Sequence, residues 1–425
     1  MTLADLLPSL RTSLRPHLDP GVWPATARWG AHGDLLAGGV RATTLAATYG
    51  TPVHLLDQAD IRLRCTEYLA AFGARGVSYS AKAGLTVGEG RWLAAAGLGC
   101  HAGSAEDLRT ALLAGFPAAR LVLVGAGKSL QDLEAAYACG AAVVVGTPAE
   151  LAGVIARAPL GQRVHVRVVP SVAGRGRCRY GFRLGSGAAL EAIAAIHASR
   201  NLRMGALDFS LGHQLSRFQA FEASLREAVA FCAVVRARTG VPVDALNLGG
   251  GHAVAYTSHD SGFAVAAFTR RIRTVLRLAA ERLAVAEPAL TVSPGRALVA
   301  RAGVTVHRVT DVTTDQDGRL LVTLDGAVPG CADCAGRHSA LLAGRVSQAP
   351  MRPATVVGAG SSALVETMEL PADIGAGDLV VVAGTGAYHH RREHFVGRPA
   401  VIGVGDGLAR TLSRRESIDD LLQTW

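Results

Sequence analysis

Between residues 59 and 293, short runs of apolar and β-branched residues alternate with longer stretches of helical periodicity. Buried strands that alternate with helices are typical of a parallel sheet covered by helices. Eight such units over about 230 residues favour a (β/α)8 barrel, and an open doubly wound sheet is the competing fold. The predicted strands are VSYSA (77–81), LGCHA (98–102), RLVLVG (120–125), AVVVG (142–146), VHVRVV (164–169), MGALDFSL (204–211), ALNLGG (245–250) and ALTVS (289–293). The predicted helices are 59–74, 86–96, 104–114, 129–139, 148–157, 187–199, 217–238 and 262–285.

The segments on either side of this pattern lack the regular alternation of strands and helices. After residue 296, VTVHRVTDV, LLVTLDG, ATVVGAG and DLVVVAG predict strands separated by Gly, Asp and Pro turns, so a β-domain is expected. The segment 34–57 is expected to add a strand or two to it. We therefore expect residues 1–57 to join the β-domain, residues 58–293 to form the barrel, and residues 294–425 to form the rest of the β-domain.

The composition excludes several classes of protein. A hydrophobic content of 49% with 18% charged residues indicates a globular chain with a sizeable core. The net charge is +9, but the basic residues are scattered, so nucleic-acid binding is not expected and the charge favours an anionic ligand. No apolar run reaches the length of a membrane span, and the N-terminus does not resemble a secretory signal. Seven widely spaced cysteines indicate a reducing compartment, so we expect a cytoplasmic protein.

Lysine is rare in this chain. Lys82 and Lys128 are the two lysines among 43 lysines and arginines. An arginine does not lose its proton to become a nucleophile, whereas a lysine can. Lys82 follows the first predicted strand, on the barrel face where active sites lie. Lys82 is therefore the candidate for chemistry that needs a primary amine; the alternative is that codon usage left a lysine there by chance. Lys128 is expected to pair with a carboxylate near the third strand.

A second candidate feature follows the last two strands. Gly249, Gly250 and Gly251 come after the seventh strand, and Arg296 of PGR comes after the eighth. Barrels commonly bind a phosphate in these two loops. Consecutive glycines expose backbone N–H groups and allow close approach, and an arginine adds a charge-assisted hydrogen bond. A primary amine and a phosphate cradle on one rim are what a pyridoxal phosphate (PLP) enzyme requires.

From about residue 34 to 405 the ordered motifs resemble those of the fold type III PLP-dependent decarboxylases: diaminopimelate decarboxylase and, more distantly, the ornithine and arginine decarboxylases. YSAKAG resembles the family's YAxKAN lysine motif, and HVRVVP followed by CRYGF resembles its LRVNP…SKFG pair. The other similar stretches are GGVRATTLAATYGTPVHLLD, LVLVGAGKSLQDLEAA, LNLGGG, SPGRALVARAG, GDLVVVAGTGAY and HFVGRP. The resemblance implies an alanine-racemase-like barrel with a C-terminal β-domain, an amino-acid substrate, and a head-to-tail homodimer with shared active sites.

Carried over residue by residue, the resemblance also implies roles within the site. Lys82 would form the Schiff base, and Arg167 would lie near the cofactor. Tyr388 would add a hydroxyl group on the phosphate side. The phosphate would be held by Gly249, Gly250, Gly251, Gly295 and Arg296.

One departure from the family pattern changes the electronics of the site. The family has a glutamate before PGR that pairs with the pyridine nitrogen of the cofactor, and this chain has Ser293. A carboxylate keeps that nitrogen protonated and makes the ring a strong electron sink, whereas a hydroxyl makes only a neutral hydrogen bond. Ordinary diaminopimelate decarboxylation is therefore less expected than the motifs alone imply.

Further departures lie in the same site. The family's HxHxGS becomes DFSLGH, with Ser210 at the second His and His213 at the Ser. FDV becomes CHA, with His101 at the Asp, and CESxD becomes SSALVE, with Ser361 at the Cys. The substrate-gripping RPxxY segment is replaced by GCADCAGRHSA, where Arg337 matches only loosely. His101 and His213 are either acid–base groups or structural histidines.

Several alternatives stay open at this point. Cys331, Cys334 and His338 have zinc-ligand character but lack a fourth ligand nearby, so a loop with free thiols is favoured and no metal is expected. The run YHHRREH (388–394) either lines an anionic entrance or forms a solvated turn. The leading hypothesis is a PLP-dependent decarboxylase with a non-standard substrate, as in natural-product biosynthesis. The others are a PLP enzyme for racemisation, elimination or replacement, and a non-catalytic homologue with a structural or regulatory role.

Overall fold

The computed structural model describes residues 15–31, 33–172, 180–326, 338–358, 364–388 and 397–423, with the backbone alone at 364–367. These residues form two compact units. The barrel unit comprises Arg64–Ala253 and Phe263–Ala297, and the β-unit comprises the residues up to Leu63, Val254–Gly262 and the residues from Leu298 onward. The domain boundaries expected from sequence, 57/58 and 293/294, stay a prediction beside this division. No helix in the described ranges has the length and apolar character that crossing a membrane requires.

The N-terminal part of the β-unit contains short strands and one helix. Its elements are β1 (Arg28–Trp29), β2 (Leu35–Ala37), β3 (Val40–Arg41), α1 (Ala42–Tyr49) and β4 (Val53–Asp57). β1, β2 and β3 form a small antiparallel sheet. Sequence reasoning expected only strands in this segment, and α1 was missed.

The barrel consists of eight parallel strands, as predicted, with helices between them. The strands are β5 (Ser78–Ser80), β6 (Gly99–Ala102), β7 (Leu121–Leu123), β8 (Ala142–Val145), β9 (Gln162–Val169), β11 (Leu202–Phe209), β12 (Ala245–Asn247) and β13 (Ala289–Thr291), and the short β10 (Phe182–Arg183) pairs with β9. The helices are α2 (Gln58–Phe72), α3 (Val87–Ala95), α4 (Ala105–Leu113), α5 (Leu130–Cys139), α6 (Pro148–Arg157), α7 (Ala188–Ala198), α8 (Gln219–Thr239) and α9 (Val265–Leu283). Each helix agrees with its prediction to within a few residues.

The sheet closes on itself, which excludes the open doubly wound alternative. The strand order is β13, β12, β11, β9, β8, β7, β6, β5. Val77 and Val292 form a parallel bridge between the two ends of that order, and the Ser78 amide donates to the Val292 carbonyl at 3.0 Å. Strands β6, β7 and β8 are buried along their whole length, as expected for a parallel sheet covered by helices.

Polar residues at the ends of the barrel strands start the helices that follow. The side chains of Thr86, Ser104 and Thr147 each accept a hydrogen bond from the amide three residues later. Ser129 forms a reciprocal capping box with Asp132 at the start of α5. Such caps satisfy amides that the first helical turn leaves without partners, so they hold the first turns of these helices at the barrel rim.

After the barrel the chain returns to the β-unit. The chain passes from the barrel unit to the β-unit within α10 (Arg296–Val299). The remaining elements of the β-unit are β14 (Gly303–Thr314), β15 (Leu320–Leu324), β16 (Ala340–Ala343), β17 (Met351–Gly358), β18 (Leu364–Pro371), β19 (Leu379–Ala383), β20 (Ala400–Gly405), β21 (Leu408–Ser413) and α11 (Ile418–Leu422). β4 pairs with both β14 and β20, so the N-terminal segment joins this sheet as expected. Strands β16, β18, β20 and β21 were not predicted.

Candidate active site

Lys82 lies on a short 3₁₀ helix, Ala81–Ala83, that directly follows β5. Tyr79 donates its hydroxyl to the Gly84 carbonyl at 2.5 Å and so braces this turn. A Cβ added to Gly295 would lie 2.9 Å from the Ala83 Cβ, which shows how closely the loop after β13 packs against the lysine turn. Lys82 is itself exposed, at the C-terminal rim of the barrel.

Three glycines after β12 form a bare backbone turn beside it. A Cβ on Gly249, Gly250 or Gly251 would lie 2.5, 2.4 or 2.1 Å from the carbonyl oxygens of Phe209, Ser293 and Gly212 respectively. Gly249 and Gly251 also have positive φ angles, 76° and 78°, which disfavour other residues. Within the described part of the chain, the amides of Gly250 and Gly251 have no hydrogen-bond partner. The turn therefore has two N–H groups that are unpaired within the described residues, and the main chain of the neighbouring loops leaves no room for side chains at these positions.

His101, Asn247 and Ser293 meet inside the mouth of the barrel. The Gly249 amide donates to Asn247 Oδ1 at 2.7 Å and so orients the amide group. Asn247 Nδ2 then lies 3.3 Å from Nε2 of the buried His101, and Ser293 Oγ lies 3.5 Å from Asn247 Oδ1. Burial, with smaller effects of Arg167 and Lys82, lowers the pKa of His101 to about 3, so its imidazole is neutral. These three side chains form an uncharged group.

Arg167 forms an ion pair with Asp208 on the neighbouring strand. The two residues are register partners on β9 and β11, and Arg167 Nε lies 2.5 Å from Asp208 Oδ1. The Asp208 side chain is 1% exposed. The Arg167 guanidinium also lies over the Tyr180 ring, 5.7 Å from its centroid. Arg167 is thus contacted by a carboxylate on one side and by an aromatic ring face on another.

Lys128 closes a second polar cluster on the rim. Its Nζ lies 2.5 Å from Glu150 Oε1 and from the Gly125 carbonyl, and 3.0 Å from the Tyr180 hydroxyl. Tyr180 donates to Glu150 Oε2 at 2.6 Å. Burial lowers the pKa of Lys128, while Glu150 acts in the opposite direction. The expected carboxylate partner of Lys128 is confirmed, although it comes from the helix after β8.

Comparisons with known proteins identify the family of the chain. The family model for the pyridoxal-dependent decarboxylase, pyridoxal binding domain, matches residues 58–300. The chain belongs to this family. The diaminopimelate decarboxylase of Actinosynnema pretiosum subsp. auranticum is 38% identical over 444 residues, which cover 100% of this chain and 99% of the relative. That of Mycobacterium bovis is 32% identical and covers 96% of this chain and 98% of the relative.

Solved structures show the same fold at lower identity. Diaminopimelate decarboxylase from M. jannaschi superposes with a TM-score of 0.86 at 22% identity, over 94% of this chain and 97% of that chain. A lysine/ornithine decarboxylase from Vibrio vulnificus superposes with a TM-score of 0.67 at 22% identity, over 81% of this chain and 91% of that chain. The expected barrel with an added β-domain is therefore confirmed, as is the assignment to the PLP-dependent amino-acid decarboxylases.

The residues of this decarboxylase fit its cofactor, PLP. The bare amides of Gly250 and Gly251 suit the oxygens of a phosphate, because N–H groups that point into one concavity bind anions. Gly295 and the buried Arg296 follow on the adjoining loop after β13. The amine of Lys82 lies on the turn that packs against the same loop.

The remaining residues predicted for this decarboxylase differ in how far the structure describes them. His213 is exposed, in the loop whose Gly212 carbonyl meets the Gly251 turn, and Ser210 is half-buried just after β11. Tyr388 belongs to the β-unit, so its cofactor contact stays a prediction. Ser361 and Arg337 lie outside the described residues.

The possible metal ligands Cys331, Cys334 and His338, and the run 388–394 that could line an anionic entrance, are also only partly described. His338 is buried, and its Nδ1 lies 2.8 Å from the Ala383 carbonyl. Burial lowers the pKa of His338 to about 4. The other members of both features, Cys331, Cys334 and residues 389–394, fall outside the described ranges.

Sequence reasoning did not identify four residues that surround the predicted ones: Asp208, Asn247, Glu150 and Tyr180. A signal for Asp208 was present, because the match of DFSLGH to HxHxGS puts it at the first His. Asn247 and Glu150 carried no local signal, because their partners lie on distant strands.

Proposed function

We propose that this protein decarboxylates an amino acid at its α-carbon, with a substrate that differs from diaminopimelate, in a specialised pathway. The observation that carries the proposal is that the loop after β13 packs closely against both features: Gly295 meets the Lys82 turn, and Ser293 meets Gly250. It puts a primary amine and an anion cradle on one rim of the barrel.

PLP supplies an electron sink for the electron pair left at the α-carbon when carbon dioxide departs. Lys82 would hold the cofactor through its amine. Gly250 and Gly251 would hold the phosphate through their main-chain amides, and Gly295 would allow close approach. Gly249, which was predicted to bind the phosphate as well, already donates its amide to Asn247 Oδ1 and would shape the turn instead. Arg296 would add charge on the phosphate side, and Tyr388 a hydroxyl.

The other predicted side chains would surround the cofactor ring. Arg167, Ser210 and Ser293 would contact it, and Ser361 and His213 would face the substrate. His213 is exposed on the rim and suits proton transfer. His101 is buried and neutral, and its Nε2 faces Asn247, so it suits a hydrogen-bonding role better than the acid–base role that the sequence left open.

A second candidate outcome is favoured by the uncharged group at Ser293, Asn247 and His101. A site that does not keep the pyridine nitrogen protonated is a weaker electron sink. It suits racemisation, elimination or replacement, which depend less on a fully developed carbanion. Carbon dioxide release, measured across a panel of amino acids, distinguishes these outcomes from decarboxylation.

Two further parts of the proposal concern assembly and location. We propose a head-to-tail homodimer with shared sites, on the basis of the family resemblance; light scattering after size exclusion tests it. We also propose a cytoplasmic location, since Cys65, Cys100, Cys139 and Cys232 are free thiols.

The central test uses the scarcity of lysine. Protein purified with PLP is expected to show the visible absorption band of bound cofactor, and Lys82→Ala to lose it. Borohydride reduction and peptide mass spectrometry should then find the label on the peptide with Lys82 and none on that with Lys128. Absence of the band in the parent protein, or a label on Lys128, contradicts the proposal. Carbon dioxide release across a panel of amino acids identifies the substrate, and a bound cofactor without release supports the second candidate.

A further inference from the structure

Tyr180 occupies a space at the C-terminal end of β8 that the absence of a side chain at Gly146 leaves open. A Cβ on Gly146, the residue after β8, would lie 2.5 Å from two carbons of the Tyr180 ring. The Tyr180 hydroxyl lies 3.4 Å from the Val144 carbonyl of that strand and donates to Glu150 Oε2 at 2.6 Å. Both the ring and the hydroxyl are therefore fitted against the end of β8 and the start of α6.

Glu150 and Lys128 hold this hydroxyl in a closed set of hydrogen bonds. Glu150 Oε2 also accepts from the Gly146 amide at 2.7 Å, and Glu150 Oε1 lies 2.5 Å from Lys128 Nζ. The ammonium lies 2.5 Å from the Gly125 carbonyl and 3.0 Å from the Tyr180 hydroxyl, so each of its three N–H donors has an acceptor. An ammonium directs its donors tetrahedrally, whereas those of a guanidinium lie in one plane. This set of acceptors therefore suits a lysine at position 128 in an arginine-rich chain.

The same tyrosine contacts Arg167 on β9. The Arg167 guanidinium lies over the Tyr180 ring, 5.7 Å from its centroid, which is within the range of a cation–π interaction. The next residue, Gly181, packs on the same side chain, because a Cβ there would lie 2.7 Å from Arg167 Cγ. Asp208 on β11 supplies a carboxylate 2.5 Å from Arg167 Nε. The guanidinium thus lies against a ring that is itself tied to α6.

We propose that Tyr180 is a positioning residue that fixes the Arg167 guanidinium, and that the Lys128–Glu150 pair holds Tyr180 in place for this role. The side chains of the pair are only 2% and 15% exposed. Burial and the Glu150 carboxylate raise the pKa of the Tyr180 hydroxyl, so the hydroxyl keeps its proton and donates it to the carboxylate in a hydrogen bond. An arginine fixed in this way offers a positive charge of constant direction to the anionic cofactor. This last consequence rests on the proposed function, whereas the positioning of Arg167 does not.

The test is a double-substitution cycle of Tyr180→Leu and Arg167→Lys. Tyr180→Leu removes the ring, and Arg167→Lys removes the guanidinium plane but keeps a cation beside Asp208. Tyr180→Leu alone is expected to lower the Tm of the cofactor-free protein by about 4 °C or more and to weaken PLP binding, titrated through the absorption band of the bound cofactor, by about fivefold or more. In the Arg167→Lys background the same substitution should weaken PLP binding less than about twofold and lower Tm by about 2 °C less, because the contact that it removes is already lost.

A further variant separates the ring from the hydroxyl. Tyr180→Phe keeps the ring and removes its tie to Glu150, so it should lower Tm by about 3 °C or more but weaken PLP binding less than Tyr180→Leu does. The matched control is Tyr137→Phe. Tyr137 is half-buried, and its hydroxyl has no hydrogen-bond partner in the part of the chain that the structure describes, so this variant should lower neither Tm nor PLP affinity.

Smaller losses in the Arg167→Lys background support the positioning role. Losses of equal size in both backgrounds, or a Tyr180→Leu protein with the parent's Tm and PLP affinity, overturn it. If Tyr180→Leu does not fold, Tyr180→Phe replaces it in the cycle, and equal losses in both backgrounds again overturn the role. If the parent protein binds no PLP, the proposed function fails, while the Tm values of the cofactor-free proteins still test whether Tyr180 acts through Arg167.

Discussion

Ser293→Glu tests whether the uncharged group in the barrel mouth weakens the electron sink. Ser293 Oγ lies 3.5 Å from Asn247 Oδ1, at the outer limit of a hydrogen bond. A glutamate at this position would place a carboxylate on the side from which the pyridine nitrogen is approached in the family. That nitrogen would then keep its proton to higher pH.

The size of the effect follows from the two kinds of hydrogen bond. A bond to a charged group contributes about 1.5–3 kcal/mol, against about 1 kcal/mol for a neutral one. The difference of about 0.5–2 kcal/mol corresponds to a change in turnover of about two- to thirtyfold. The lower part of this range is expected, because the new carboxylate would face Asn247 Oδ1, an acceptor that the Gly249 amide holds in place at 2.7 Å.

The assay combines the absorption spectrum of the bound cofactor across pH with carbon dioxide release. Ser293→Gln is the matched control, since it has the same length without the charge. The glutamate variant is expected to shift the spectrum and raise turnover, and the glutamine variant to do neither. Equal behaviour of the two variants, or a glutamate variant indistinguishable from the parent, would refute the electronic reasoning.

Three further predictions concern the cradle, the Lys128 cluster and a buried acid. Gly250→Ala is expected to abolish the cofactor band and also to lower the Tm, because its Cβ would lie 2.4 Å from the Ser293 carbonyl oxygen and the loop after β13 would have to shift. Glu150→Gln leaves the 2%-exposed Lys128 side chain without its carboxylate, so the free energy of unfolding should fall by about 3–5 kcal/mol in denaturant titrations. Burial raises the pKa of Glu89 from 4.5 to about 8, so the stability that this group contributes is complete below its unfolded pKa and falls as pH rises towards 8. Glu89→Gln should therefore raise Tm more at pH 8 than at pH 5.

Each of these changes has a matched control in an open or exposed position. Gly185→Ala meets no atom within 4 Å and should keep the cofactor band. Glu281→Gln breaks an exposed pair with Arg277 and should cost about 1 kcal/mol or less. Glu106 is exposed, so Glu106→Gln should give the same Tm change at both pH values. A variant that behaves like its control contradicts the corresponding prediction.

The barrel could be predicted because its signals are local. Short continuous apolar strands and longer helices follow each other closely in the chain, and each unit was visible by itself. The β-unit was predicted less completely. Ala42–Tyr49 is only eight residues long, and three threonines stand among its alanines and its leucine, so propensity indicated α1 only weakly. The short β16 and β21 are defined by their pairing with β19 and β20 rather than by their own composition.

In the candidate site, too, the residues with local sequence signals were predicted and the contacts between distant residues were not. Lys82 and the three glycines were located by their place after predicted strands, which requires only the barrel topology. The contact of His101 with Asn247 spans 146 positions of sequence, and that of Lys128 with Tyr180 spans 52. Such contacts depend on strand register and on closure of the sheet, which periodicity does not specify.

The two parts of the site also differ in how freely they can diverge. The cradle consists mainly of the backbone amides of Gly250 and Gly251, with Arg296 beside them, so its chemistry depends little on the identity of other side chains. The groups at 101, 208 and 293 act through their side chains, so a substitution there changes the charge or the hydrogen bonds of the site directly. Divergence should therefore alter the reaction and its substrate before it alters PLP binding. On this reasoning, changes at 210 or 293 should leave PLP affinity within a few-fold of the parent, whereas a single methyl group at 250 should abolish binding.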